Sequence, residues 1–145
     1  MHFPEYLVAP LLGWIAAQGM KYGIDHRHVI GLKNNLRYMY RAGGMPSTHS
    51  AIVASVVTVV GFTSGVNSAI FGVSALFAAI VIYDAMNVRY SVGVQGELLK
   101  KIIEHDKELR KEADSLYVVH GHTLTQTAAG VLVGFVVGLI VYLVH

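Results

Sequence analysis

The chain has 145 residues, of which 54% are hydrophobic and only 14% charged, far below the roughly 25% charged residues of a water-facing domain. With a mean hydropathy of +0.52 and its charges gathered into clusters, it reads as a polytopic membrane protein of one domain, residues 1–145, a soluble domain with a single large aliphatic core being the alternative. Cysteine is absent, which excludes disulfides and thiolate metal sites; the net charge is only +2, so its placement matters more than its sum, and no nucleic-acid partner is expected.

The first apolar segment runs from about Phe3 to Met20, with Glu5 near its outer end. It carries no basic n-region or small-residue cleavage site, so a secretory signal is not expected. The connection from Lys21 to Met45 follows, with Lys21, Arg27, Lys33, Arg37 and Arg41 against the single acid Asp25. It ends in Gly43-Gly44-Met45-Pro46-Ser47-Thr48-His49-Ser50-Ala51. Two glycines permit a tight backbone approach, and Pro46 and Ser47 suit the start of a helix. A glycine-rich turn entering a helix offers free N–H groups and a favourable dipole to an anion. An ordinary capped span would carry the same residues.

The second apolar segment spans about His49 to Val66 and the third about Ala69 to Met86, joined by a turn without charge. The third closes on Tyr83-Asp84-Ala85-Met86-Asn87-Val88-Arg89. An aspartate at the edge of hydrocarbon is costly and faces a polar interior or a partner, whereas Arg89 alone also fits a snorkelling anchor. From about Val94 to Leu116 apolar residues recur at helical spacing, with acid–base pairs such as Glu97 and Lys101 between them; an amphipathic cytoplasmic helix is expected. His120-Gly121-His122-Thr123 then opens the fourth segment, Leu124 to Val144, which has no charge and contains a ladder of Gly130, Gly134 and Gly138. Such a ladder lets helix backbones approach closely, within the chain or across a dimer.

Each of the four apolar segments approaches the ~20 residues needed to cross ~30 Å of hydrocarbon. All eleven lysines and arginines fall in the two connections Lys21–Met45 and Arg89–His122. With four spans these connections share one side, and the positive-inside bias makes that side cytoplasmic, with both termini outside. His49 and His122 then lie on one face beside a basic loop. An imidazole has an ordinary pKa near ~6.5 and can act as nucleophile, acid or base. One ring attacking phosphorus, another protonating the leaving oxygen and cations holding the remaining oxygens would perform phosphoryl transfer without a metal. For either histidine alone, packing or solvation is the competing reading.

The Pro-Ser-Thr-His run, the Arg ending a span and the late Gly-His-Thr resemble the type 2 phosphatidic acid phosphatase superfamily, which includes the vanadium-dependent haloperoxidases. The run Gly-Gly-Met-Pro-Ser-Thr-His-Ser-Ala and the run Tyr-Asp-Ala-Met-Asn-Val-Arg are similar to its divergent bacterial and plant branch. The resemblance covers nearly the whole chain. It implies that His49 protonates the leaving group, that His122 is the nucleophile forming a phosphohistidine, and that Ser47, backbone amides and Arg89 cradle the phosphate. Gly44, Thr48, Lys21 and Arg41 are further candidate phosphate ligands. The superfamily's opening motif, a lysine followed seven residues later by Arg-Pro, is absent; Lys21, Lys33, Arg37 and Arg41 are candidates for its task, Lys21 foremost. The superfamily places its arginine six residues before the nucleophile, whereas Arg89 and His122 are separated by the amphipathic helix. It also places an acid four residues after the nucleophile, where this chain has Gln126; Asp84 is the candidate catalytic acid in its stead.

The expected architecture is therefore an all-α membrane bundle of about four transmembrane helices and one cytoplasmic amphipathic helix, in the cell membrane and paired as a homodimer. The expected function is hydrolysis of a membrane lipid phosphate, either an isoprenoid phosphate or diphosphate or a phosphatidate, without a cofactor. A non-catalytic lipid-phosphate binder and a small four-span transporter are the alternatives. A metal site from His26, His28, His120 and His122 is a weaker one, for want of a cysteine or carboxylate at ligand spacing.

Overall fold

In hydrocarbon an uncharged run must satisfy its own backbone groups, which favours helices, and every regular element among the described residues is helical. A computed structural model describes residues 4–25, 44–105, 118 and 121–145. Helix α1 spans Glu5–Asp25, α2 Thr48–Ser64, α3 Ala69–His105 and α4 Leu124–Val144.

Local chemistry sets the helix starts. Ser47 caps α2, its side chain accepting from the Ser50 N–H, and Ser68 caps α3 by accepting from Phe71. Thr123 opens α4 in a capping box with Gln126. Gly65 ends α2 with a φ of 81°, the left-handed region in which only glycine is unstrained.

Helix α2 is central and packs against α4, α1 and the first half of α3; α1 also touches α4. The glycine ladder joins α4 to α2 within the chain. A Cβ on Gly130 would collide with the Ser47 carbonyl, one on Gly134 would lie 2.7 Å from the Ala54 Cβ, and one on Gly138 would lie 2.7 Å from the Ser55 carbonyl. Small residues thus face small residues along parallel helices, and close packing replaces the hydrophobic effect that lipid cannot supply. Gly13 of α1 comes against the same stretch of α2, facing the Ala51 carbonyl and Ser55. Ala9, Val59 and Val141 form the buried apolar centre, with Val8 and Val137 packed against it. Large apolar residues such as Leu76, Phe77, Leu132 and Leu143 face outward, as lipid-facing residues do.

Two of the helices, α3 and α4, are long and apolar enough to cross a membrane, while α2 is a shorter apolar helix of 17 residues. By sequence the third apolar segment ends near Met86 and the amphipathic stretch begins near Val94; α3 runs continuously through both, over 37 residues, about 55 Å at 1.5 Å each. A π turn at Asp84–Val88 interrupts its α geometry. The stretch before the turn is apolar, and the stretch after it, Arg89–His105, carries the amphipathic pattern. No breaker stands between them, so backbone bonding continues. The expected continuation to Leu116 lies outside the described residues.

Candidate active site at one end of the bundle

Because α2 and α4 run parallel, both N-termini open at one end of the bundle, where α1 finishes and α3 makes its π turn. Ser47 is fully buried, and its N–H donates to the Gln126 carbonyl at 2.9 Å, fastening the start of α2 to the first turn of α4. Gly44 precedes it with a φ of 80°, a conformation that favours glycine. The Ser47 Oγ accepts from the Ser50 hydroxyl at 2.9 Å as well as from its N–H. The next residue, Thr48, donates its hydroxyl to Gln18 Oε1 at 2.9 Å and accepts from Lys21 Nζ at 3.2 Å. Lys21 is only 5% exposed, so its ammonium lies inside the site rather than in a solvated loop. His49, one residue on, is exposed.

The π turn arranges the other wall. In a regular α-helix, residues five apart point about 140° away from each other. Over Asp84–Val88 the widened turn brings Arg89 Nε to 2.9 Å from Asp84 Oδ2, both side chains being about two-fifths exposed. It also shifts the backbone register: the Arg89 N–H donates to the Asp84 carbonyl rather than to that of Ala85. The Ala85 carbonyl instead accepts from the His122 N–H at 3.0 Å. Gly121 makes this approach sterically feasible, because a Cβ there would lie 2.7 Å from the Tyr90 Cα. A π turn is a common device at functional sites; here it presents a free carbonyl to the backbone of His122.

His122 is buried, with Nδ1 3.3 Å from Gln126 Oε1. Burial, most of all, pushes its pKa below the ordinary imidazole value; the Gln126 hydrogen bond opposes this, and Lys21, His49 and Arg89 lower it further. Arg89, Lys21 and Asp84 likewise act electrostatically on the His49 ring. Five side chains far apart in sequence therefore influence one another at one end of the bundle.

Of the residues singled out in sequence, Lys21, Gly44, Ser47, Thr48, His49, Asp84, Arg89 and His122 are all drawn to this end. Arg41, and with it His26, His28 and His120, lies outside the described residues. Asp84 contacts Arg89, while the residue contacting His122 Nδ1 is Gln126. Sequence reasoning missed Gln18 and the Ala85 carbonyl, and it placed Gln126 beside His122 only as the position of an absent acid. Gln18 had a signal, as a polar side chain one turn before Lys21 in an apolar helix. Gln126 had one too, since Thr123-Leu124-Thr125-Gln126 is a capping-box pattern. The Ala85 carbonyl had none, because only the π turn frees it.

A helical bundle with a buried lysine, an ion-paired arginine and two imidazoles around a capped helix start defines a membrane protein with a polar, cation-rich site at one end. The chain belongs to the divergent PAP2 family, whose sequence pattern matches residues 4–137. It is also 36% identical over 102 residues to an uncharacterized membrane protein, YuiD, of Bacillus subtilis (strain 168). That match covers 70% of this chain and 62% of the relative, so the chain spans less than two thirds of the relative's length. No solved structure matches it.

Proposed function

We propose that the protein is a membrane lipid-phosphate phosphatase acting through a phosphohistidine on His122. The observation that carries this reading is the convergence of His49, Lys21, Arg89 and His122, from four separate segments, on the N-terminal ends of α2 and α4. In the proposed reaction the Nε2 lone pair of His122 attacks phosphorus while the bond to the leaving oxygen breaks. That oxygen keeps the electron pair and takes a proton from His49. Water then attacks the phosphohistidine and gives a proton to His49, and the P–N bond breaks, returning its pair to His122. Lys21, Arg89 and N–H groups at the start of α2, with Ser47, Thr48 and Gly44 around them, offset charge on the non-bridging oxygens. Arg41 is a further candidate for that role, and Asp84 tunes the site through Arg89 and His49.

A second feature favours an amphiphilic substrate. Ile52, Val53 and Val56 follow His49 by three, four and seven residues, hence on one face of α2. With Val73, Ser74 and Phe77 of α3 they line an apolar cleft of about 270 Å³. A phosphate at His49 would leave its hydrocarbon chain facing this cleft. The positive-inside bias favours a site on the cytoplasmic face of the cell membrane, and a homodimer fits so thin a bundle.

Phosphate release from a panel of phosphatidate and isoprenoid phosphates and diphosphates, by purified protein in EDTA, tests the reading. Turnover that vanadate inhibits is expected. Retention of these lipids without release of phosphate would instead make the protein a lipid-phosphate binder.

A further inference from the structure

The side-chain amide of Gln126 touches two groups, and together they fix a proton that no sequence pattern could place. Its Oε1 lies 3.0 Å from the Thr123 backbone nitrogen and 3.3 Å from His122 Nδ1. A backbone N–H can only donate, so the amide atom facing Thr123 is the oxygen, and the orientation of the amide is settled. That oxygen can only accept. The imidazole nitrogen facing it must therefore carry hydrogen, leaving Nε2 as the unprotonated nitrogen of the neutral ring. The amide is itself held by the capping box, for the Gln126 N–H donates to Thr123 Oγ1 at 3.3 Å. The His122 backbone is pinned at the same time to the Ala85 carbonyl.

We infer that Gln126 is the positioning residue of the reaction: its Oε1 holds the Nδ1–H tautomer of His122 and so directs the Nε2 lone pair into the site. This rests on the reading of His122 as nucleophile. It also gives the missing acid a physical meaning. The charged groups facing His122 are Lys21 from α1, His49 from α2 and the Asp84–Arg89 pair from α3, which leaves the surroundings rich in cations. A neutral amide orients the ring without drawing a second proton onto it. A carboxylate at the same place would stabilise the imidazolium and remove the lone pair over part of the working pH range. The chain thus keeps His122 nucleophilic into mildly acidic conditions.

The test is nuclear magnetic resonance of the full chain in nanodiscs, with histidine labelled with nitrogen-15 and the His122 signals assigned by their loss in His122→Asn. At pH above the ring's titration, Nδ1 should appear protonated and Nε2 bare, the reverse of the form that free histidine favours in water. Gln126→Glu retains the capping-box pattern and should keep this tautomer while moving the ring's titration to higher pH. Gln126→Leu should lose the tautomer preference, and kcat should fall about 10- to 100-fold, as for other orienting partners of a histidine, with KM little changed. Restoration of kcat at high pH by Gln126→Glu, with the acid limb of kcat/KM moved upward, separates positioning from a purely structural cap. A wild-type ring protonated at Nε2, or a titration unmoved by Gln126→Glu, would overturn the inference. The spectra need no turnover: the expected tautomer in a protein that releases no phosphate would refute the phosphatase reading and leave the role of Gln126 in orienting the ring intact.

Discussion

At the scale of single residues, two groups of the same type stand in different surroundings. Both histidines sit among the same charges, yet His122 is buried and tied at Nδ1 and at its backbone N–H, while His49 is exposed. The fixed ring suits attack at phosphorus, and the accessible ring suits proton exchange with a leaving oxygen and with water. His122→Ala should abolish turnover and the acid-labile phosphoenzyme. His49→Ala should slow phosphoenzyme formation by ~10²–10⁴-fold, most for poor leaving groups, an effect a series of aryl phosphates would resolve. Equal slowing across that series would remove His49 from the acid role. The depressed pKa of His122 fixes the sign of one pH effect: protonation blocks the nucleophile, so the acid limb of kcat/KM should lie below the ordinary imidazole pKa. A limb at or above that value would show that another group controls it.

Elements carry the site through close backbone contact. The α2–α4 seam depends on glycines whose missing Cβ atoms leave room for the Ser47, Ala51 and Ser55 carbonyls. Gly134→Val should therefore lower stability by about 1–3 kcal/mol, the usual cost of overpacking, seen as a lower thermal midpoint in detergent. Gly72→Ala is the control: a Cβ there meets nothing within 4 Å, and stability should hold. Gly121→Ala tests the seam with α3 instead. Its Cβ would strike Tyr90 and lift His122 from the Ala85 carbonyl, so activity should fall while the α2–α4 seam, and most of the thermal midpoint, remains. Unchanged activity in Gly121→Ala would mean that the π turn does not position His122.

For the whole molecule, the parallel run of α2 and α4 brings the site residues to one end of the bundle. The proposed orientation, with the basic connections in the cytoplasm, rests on the charge distribution. Cysteine at Ser64, where α2 meets the uncharged turn, should react with an impermeant thiol reagent in intact cells, and cysteine at Lys101 should react only after lysis. The opposite result would invert the orientation and leave the common end of the site unchanged. Much of this was legible in the sequence, because local chemistry suffices for it. Uncharged runs must form helices in hydrocarbon, and Ser47 and Thr123 announce helix starts. The runs around His49, Arg89 and His122 carry their chemistry in adjacent residues and mark the family. Contacts between distant segments were not legible, since periodicity says which face is small but not what it meets. The glycine ladder could have faced a second chain; the fold sets it against α2. Asp84 and Arg89 read separately, as a costly acid at the hydrocarbon edge and as a snorkelling anchor or phosphate ligand. A π turn inside one long helix pairs them instead, its freed carbonyl engaged by a residue 37 positions on from Ala85. Gln126 read as an acid lost; only with His122 and Thr123 both within reach of one oxygen does it become the group that sets where the proton sits.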